Sequence, residues 1–259
     1  MTHPERIKPI LRWQGSKTRL LKKIMPLIQP HVCYCEPFFG GGSVLFAKER
    51  SSVEVINDKN GNLVALYRNL QFHLPALLTE LNWLFASRQN LHDFIEQPGL
   101  TELQRASRFL LVNRTSFGGN MNSFGVAKTK GGGVGFSKKQ INHLLAQANK
   151  RLDGVVVENA SYERVLKNYD SKETQHFIDP PYEQSTNGAY AGWDQKQLTQ
   201  FRRDVDKLQG NWIVTLNDSE FTRGLFSDCK LIPVITSNRA VNRRTHAAQT
   251  FGELIITPN

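Results

Sequence analysis

The feature that most constrains the fold is an alternation of short apolar runs with segments of helical length, present towards both ends of the chain and interrupted in its middle. Strand-like runs fall at residues 32–35, 53–57, 155–157, 177–178, 212–215, 231–235 and 254–256, and helical stretches separate most of them, notably 194–209 and 219–226. Parallel strands need a crossover connection, usually a helix, so this alternation predicts an α/β fold with a doubly wound, mostly parallel seven-stranded sheet. The last two runs are joined without a helix and predict an antiparallel hairpin. In such sheets ligands bind beyond the carboxyl ends of the strands.

Between residues 71 and 150 the alternation stops. Residues 74–94, 103–112 and 137–152 read as helices, while 114–136 is rich in glycine, asparagine and serine. The expected organisation is residues 1–70 as the first part of a sheet domain, 71–152 as an inserted helical and hairpin domain, and 153–259 as the second part. Its later part, from residue 103, carries charge of one sign. From Leu103 to Leu152 there is no acidic residue, whereas Arg105, Arg108, Arg114, Lys128, Lys130, Lys138, Lys139, Lys150 and Arg151 are all present. A solvated helix face normally interleaves both signs, so this stretch predicts a surface that contacts phosphates. Arg239, Arg243, Arg244 and His246 form a second basic cluster before the final run. The net charge of +10 favours an anionic polymer as partner, nucleic acid first.

Hydrophobic residues make up 39% of 259, enough for one well-buried α/β domain with an insertion. No run approaches the ~20 apolar residues of a membrane span. Met1 to Gly15 has no apolar core of signal-peptide length, so a cytosolic protein without membrane contact is expected. Cys33, Cys35 and Cys229 supply neither a paired disulfide framework nor four metal ligands. Cys33 and Cys35, two apart on one strand, share a face and read as small buried thiols. The seven histidines show no metal-type spacing beside a carboxylate, and no metal is expected.

Two motifs carry chemistry. The run at 32–35 leads into Glu36-Pro37-Phe38-Phe39-Gly40-Gly41-Gly42-Ser43, with helix-compatible residues 44–49 after it. Glycines between a strand and a helix let the backbone turn tightly and approach a ligand. The run at 53–57 ends in Asp58, eighteen positions after Gly40, where a carboxylate of a nucleotide-binding βαβ unit accepts from ribose hydroxyls. The second motif, Asp179-Pro180-Pro181-Tyr182, follows His176-Phe177-Ile178. Two prolines cannot continue a ladder, so the carboxylate and the aromatic stand on a rigid platform at a strand end.

Such a platform suits methylation of an exocyclic amino group on a flat ring. The amino lone pair is delocalised, and accepting both N–H hydrogens, on the Asp179 carboxylate and the Pro180 carbonyl, loosens that conjugation. Tyr182 offers a π-face to an extruded base, a contact worth roughly 1–3 kcal/mol. The bland alternative is that Pro-Pro merely ends a strand. Gly131-Gly132-Gly133-Val134-Gly135 lacks the Lys-Ser/Thr ending of a phosphate-binding loop and reads as a hairpin tip.

The blocks Arg12-Trp13-Gln14-Gly15-Ser16-Lys17, Glu36 to Ser43, Asn57-Asp58, Phe109 to Arg114 and Asp179 to Tyr182 stand in one order along nearly the whole chain. In that order the chain resembles bacterial and phage DNA adenine-N6 methyltransferases of the Dam type. The resemblance implies a Rossmann-like methyltransferase domain that binds S-adenosylmethionine and an inserted region that reads double-stranded DNA. It implies that Trp13, Lys17, Glu36, Phe39, Gly40, Gly42, Asp58 and Asp179 border the cofactor, and that Asp179, Pro180, Pro181 and Tyr182 form the catalytic loop. On the residues alone, Lys17 also reads as a surface residue opening a basic helix, and Trp13 as a core residue.

The recognition segment departs from the family. Members that read GATC carry, after their Asn-Arg pair, a hairpin with an arginine and an Asn-Val-Pro-Phe-Gly-like end; here Thr115 to Val126 contains no arginine. Asn120 and Asn122 can pair with adenine edges and Phe117 can wedge into the base stack. Arg114, Lys128, Lys130, Lys138, Lys139, Arg239, Arg243 and Arg244 are the candidate DNA-backbone contacts. The expected function is methyl transfer to N6 of an adenine flipped out of duplex DNA, by a chain that is monomeric in solution with room for more than one copy on DNA. Methylation of structured RNA and a catalytically silent DNA-binding regulator are the other readings. The long insertion argues against the first and the intact site against the second.

Overall fold

The computed structural model describes residues 7–126, 133–182, 193–238 and 249–259, with backbone alone at 236–238 and 249–251. Seven strands, β1 (Cys33–Glu36), β2 (Val53–Asn57), β3 (Val156–Glu158), β4 (Thr174–Ile178), β5 (Asn211–Asn217), β6 (Lys230–Asn238) and β7 (Gln249–Thr257), form a sheet of order β3-β2-β1-β4-β5-β7-β6. β1 runs parallel to β2 and β4, and β4 to β5; β7 is antiparallel to β5 and β6. The expected mostly parallel sheet with a closing antiparallel hairpin is therefore present. The helices are α1 (Leu21–Ile24), α2 (Gly61–Phe72), α3 (Leu74–Trp83), α4 (Arg88–Glu96), α5 (Glu102–Thr115), α6 (Lys138–Leu152), α7 (Tyr162–Tyr169), α8 (Gln195–Val205) and α9 (Glu220–Leu225).

The chain divides into two compact units. One comprises Met1–Thr18, Gly40–Glu49 and Asn60–Asn159, and the other Arg19–Phe39, Arg50–Lys59 and Ala160–Asn259. In the second unit, Leu198, Phe201 and Val205 recur at helical spacing on α8 and pack with Ile178, Val214, Leu216, Phe226, Leu254 and Ile256. A smaller cluster joins Cys35, Val55 and Val165, with Cys33 at its margin. All three cysteines are free. α8 starts where Asp194 and Gln197 form a reciprocal capping box, and Ser161 and Ser219 cap α7 and α9. Gly210, before β5, lies so close to the main chain of Ser171 and Thr174 that no Cβ fits there.

In the first unit α5 is central, packed along α2 and touched by α3 and α4, while α6 packs on α2 and α3. Its start is fixed by a Thr101–Gln104 capping box. The helix expected over 74–94 is two helices, because Ser87 in an extended conformation caps a new one by accepting from Asn90 N. The helix expected over 44–49 is a set of turns carrying Phe46 N to Gly42 O and Lys48 N to Val44 O bonds. The basic helix expected from Lys17 is a 3₁₀ turn, the short α1, and a second 3₁₀ turn at Pro26.

Candidate active site

The carboxyl ends of parallel strands bring three acidic side chains to one edge of the second unit. Glu36 is the last residue of β1, Asp58 follows β2 and Asp179 follows β4. Glu36 and Asp58 are 1% and 3% exposed. Carboxylates persist at such depth only where donors meet them. Tyr34, two residues back and on the same face of β1, donates to Glu36 Oε1 at 2.8 Å. Burial first, and the Glu36 charge second, push the Tyr34 phenol well above its usual range.

Asn57, buried between these groups, staples three connections. Its Nδ2 donates to Pro37 O at 2.8 Å and Ala160 O at 3.2 Å, and its Oδ1 accepts from Ala160 N at 2.9 Å. Its carbonyl accepts from Phe39 N at 2.8 Å. The turn after β1 is thereby tied to the end of β2. Phe38 enters a ring cluster with Tyr162, Trp193 and Phe201, at centroid distances of 5.3, 5.5 and 6.5 Å.

Asp179 is half-buried and its Oδ1 accepts from the Thr215 hydroxyl of β5 at 2.7 Å. Pro180 is buried, and Pro181 and Tyr182 are half-buried. The Tyr182 ring rests on the apolar cluster of β4 and β5, and its hydroxyl lies 3.5 Å from Glu253 Oε1, at the limit of a hydrogen bond. The prolines end the strand as the bland reading requires. They do so while the carboxylate is held in place by a neighbouring strand.

The glycine turn belongs to the first unit. Gly40 and Gly42 take φ of 50° and 68°. A Cβ on Gly40 would lie 2.5 Å from Trp13 Nε1, and one on Gly41 2.7 Å from Trp13 Cβ. Conformation and space both demand glycine there. Tyr67 of α2 donates to Gly40 O at 3.2 Å, and the Ser16 and Ser43 hydroxyls pair at 2.8 Å. Lys17 is buried rather than a surface residue, and its Nζ donates to Gly15 O at 2.6 Å. Trp13 is half-buried.

The segment after α5 is framed by antiparallel bridges Ser116 to Phe124 and Val126 to Val134. Asn120 shapes its tip: Oδ1 accepts from Asn122 N and Ser123 N at 3.2 Å, and Nδ2 donates to Ser123 Oγ at 2.7 Å. Asn122 and Phe117 are exposed. Arg88 at the start of α4 lies over the Phe124 ring at 5.4 Å.

The acid-free stretch resolves into two kinds of cation. Arg114 is half-buried with Nη1 on Ile10 O, and desolvation, then the Arg12 charge, lowers its pKa. Arg105 and Arg108 donate to Leu100 O and Gln97 O, and Arg151 is buried. Lys138 and Lys139 are exposed at the start of α6, Lys138 Nζ donating to Asn82 O. Lys128, Lys130, Arg239, Arg243 and Arg244 lie outside the described residues. Among the described residues no group of three or more His, Cys, Asp or Glu is placed to hold a metal, and no helix is long and apolar enough to cross a membrane.

A mixed, mostly parallel seven-stranded sheet with buried acids at the ends of β1 and β2 and an Asp-Pro-Pro-Tyr loop after β4 defines a Rossmann-like methyltransferase. Residues 13–240 match the D12 class of N6 adenine-specific DNA methyltransferases, and the chain belongs to that family. It is 26% identical over 235 residues to the Type II methyltransferase M.MjaIII of Methanocaldococcus jannaschii, covering 78% of this chain and 81% of that protein. To the Type II methyltransferase M1.LlaDCHI of Lactococcus lactis subsp. cremoris it is 24% identical, covering 97% and 95%. The DNA adenine methylase of Escherichia coli K12 is 29% identical over 118 residues, covering 43% of this chain and 42% of the enzyme.

Sequence reasoning finds the acids and the prolines and places Asn57 in a motif without its stapling role, and it misses Thr215 and Tyr34. Each is a polar residue on a strand, and only its alternation with apolar neighbours hints at a partner.

Proposed function

We propose that this chain transfers a methyl group from S-adenosylmethionine to N6 of an adenine flipped out of duplex DNA. The observation that carries the reading is Asp179, half-buried at the end of β4 with one carboxylate oxygen fixed by Thr215. S-adenosylmethionine supplies an electrophilic methyl carried on a sulfonium. Asp179 accepts one N6 hydrogen and the Pro180 carbonyl the other, which frees the lone pair and stabilises the positive charge developing on nitrogen. Tyr182 would stack on the flipped base; the S–CH3 bond would break as the N–CH3 bond forms, with S-adenosylhomocysteine as the leaving group and the surplus N6 proton passing to water.

The donor set fits the cofactor. Glu36 and Asp58 are buried acceptors at strand ends, suited to an ammonium and a ribose diol, and the Gly40 to Gly42 backbone carries no side chain. Trp13, Lys17 and Phe39 are assigned to the same ligand. Phe117 and Asn122 contact bases, Asn120 and Arg114 hold the loop that presents them, and Lys138 and Lys139 contact phosphates. The remaining candidate DNA contacts are Lys128, Lys130, Arg239, Arg243 and Arg244.

Incubating the purified protein with S-adenosylmethionine and an unmethylated plasmid, then mapping modified bases by single-molecule sequencing, tests the reading. N6-methyladenine in one short motif is expected. Absence of methyladenine, or methylation of RNA alone, overturns it.

A further inference from the structure

Ile10, Leu11, Arg12 and Trp13 form a strap along α5 inside the first unit. Asn113, wholly buried, binds both main-chain groups of Arg12: its Oδ1 accepts from Arg12 N at 2.9 Å and its Nδ2 donates to Arg12 O at 2.9 Å. One turn earlier on the same face of α5, the Phe109 ring meets the Trp13 ring at 6.5 Å. Arg12 Nη1 donates to Arg114 O at 3.3 Å. The segment after α5 closes on the same strap, since a Cβ on Gly119 would collide with Arg12 O and one on Gly135 with the Arg12 guanidinium and Arg114 O. Trp13, the next residue, covers Gly40 and Gly41 so closely that neither can carry a Cβ.

We infer that Asn113 is a positioning residue that couples the 116–126 loop to the Gly40–Gly42 turn through the Arg12-Trp13 strap. An amide side chain bonded to both the N–H and the C=O of one residue fixes that residue as a neighbouring strand would. No slack separates Arg12 from Trp13, so a displacement of the loop at Gly119 or of the end of α5 is delivered to the glycine turn. The inference rests on the reading above, in which the loop meets DNA and the turn borders the cofactor. Coupling between two ligands is reciprocal, so DNA carrying the target tightens the cofactor and the cofactor tightens that DNA by the same factor.

The test measures sinefungin, a cofactor analogue that donates no methyl, by calorimetry. It is titrated into the protein alone, with a duplex carrying the mapped methylation motif, and with a duplex lacking it. Wild type should bind sinefungin about 5- to 150-fold more tightly with the motif duplex, the usual span of such couplings. Asn113→Ala, with its far-UV melting transition retained, should lose that factor to within about twofold while holding the motif-free duplex as wild type does. An unchanged factor in the folded variant, or no factor in wild type, overturns the coupling.

Should Asn113→Ala not fold, hydrogen exchange on wild type decides. The Arg12 amide, protected by Asn113 Oδ1, should change its exchange rate when the motif duplex alone is bound and when sinefungin alone is bound. No change with the duplex overturns the inference. A wild-type protein that neither binds sinefungin nor methylates plasmid overturns the methyltransferase reading instead.

Discussion

Asp179 sits where β4 stops, and Thr215, wholly buried on β5, donates to it at 2.7 Å. A hydroxyl with that aim fixes the plane of the carboxylate. Removing the carboxylate deletes the group aimed at charge developing on N6, so Asp179→Ala should lower kcat by about 100- to 1000-fold with the fold and most DNA affinity kept. Thr215→Val keeps the shape and deletes the donor. It should lower kcat about tenfold or more, on the scale of a hydrogen bond to a charged group, while leaving KM for DNA unchanged. Thr215→Ser should restore most of the loss. If Val is as active as wild type, or Ser is no better than Val, the hydroxyl is not what orients Asp179.

At the scale of elements, the loop after α5 separates residues that build it from residues that face outward. Asn120 holds the tip with three hydrogen bonds, whereas the Asn122 side chain is exposed. Asn122→Ala should change which motif is methylated with little effect on melting, while Asn120→Ala should weaken methylation at every site by loosening the loop. Sequencing the modified plasmid distinguishes them, and an unaltered motif with Asn122→Ala removes that residue from base reading. Lys138 and Lys139 changed together to Ala should flatten the log–log salt dependence of DNA affinity by about 0.9 for each phosphate no longer neutralised.

Legibility follows the same division. Buried apolar strands write continuous runs, so the sheet is readable, but β4 begins three residues before the expected 177–178 because Thr174, Gln175 and His176 are polar and buried. Their partners, Tyr169 O, Gln29 N and Asp170, are distant or lie outside any period, and no local pattern announces them. Asp58 and Asp179 are readable as motifs. Asn57 and Asn113 stand inside motif blocks but what they bind is not readable, and Thr215 stands in none, since a buried polar residue declares its role only through a neighbour folded against it.

One such buried group reaches the stability of the whole molecule. His176, wholly buried on β4, has Nε2 at 3.1 Å from Asp170 Oδ1, and the same carboxylate accepts from Gln209 N at 2.9 Å and Gly210 N at 3.1 Å. Asp170 thus ties the end of α7, β4 and the entry to β5 together. As the carboxylate accepts, Nε2 carries the hydrogen, and Nδ1 is buried without a hydrogen-bond partner. Burial lowers the His176 pKa from 6.5, and the Asp170 charge opposes that shift only in part.

The folded protein therefore keeps the ring neutral at a pH where the unfolded chain protonates it. Between the two pKa values the unfolded state binds more protons, so stability rises with pH there. The contribution is complete above about pH 6.5 and is lost as pH falls towards the folded pKa, each pH unit between the two values corresponding to about 1.4 kcal/mol. Thermal unfolding at pH 7.5 and 5.5 should show a larger drop in Tm for wild type than for His176→Gln, which cannot be protonated and keeps a donor for Asp170. Equal drops would place the acid sensitivity elsewhere in the chain.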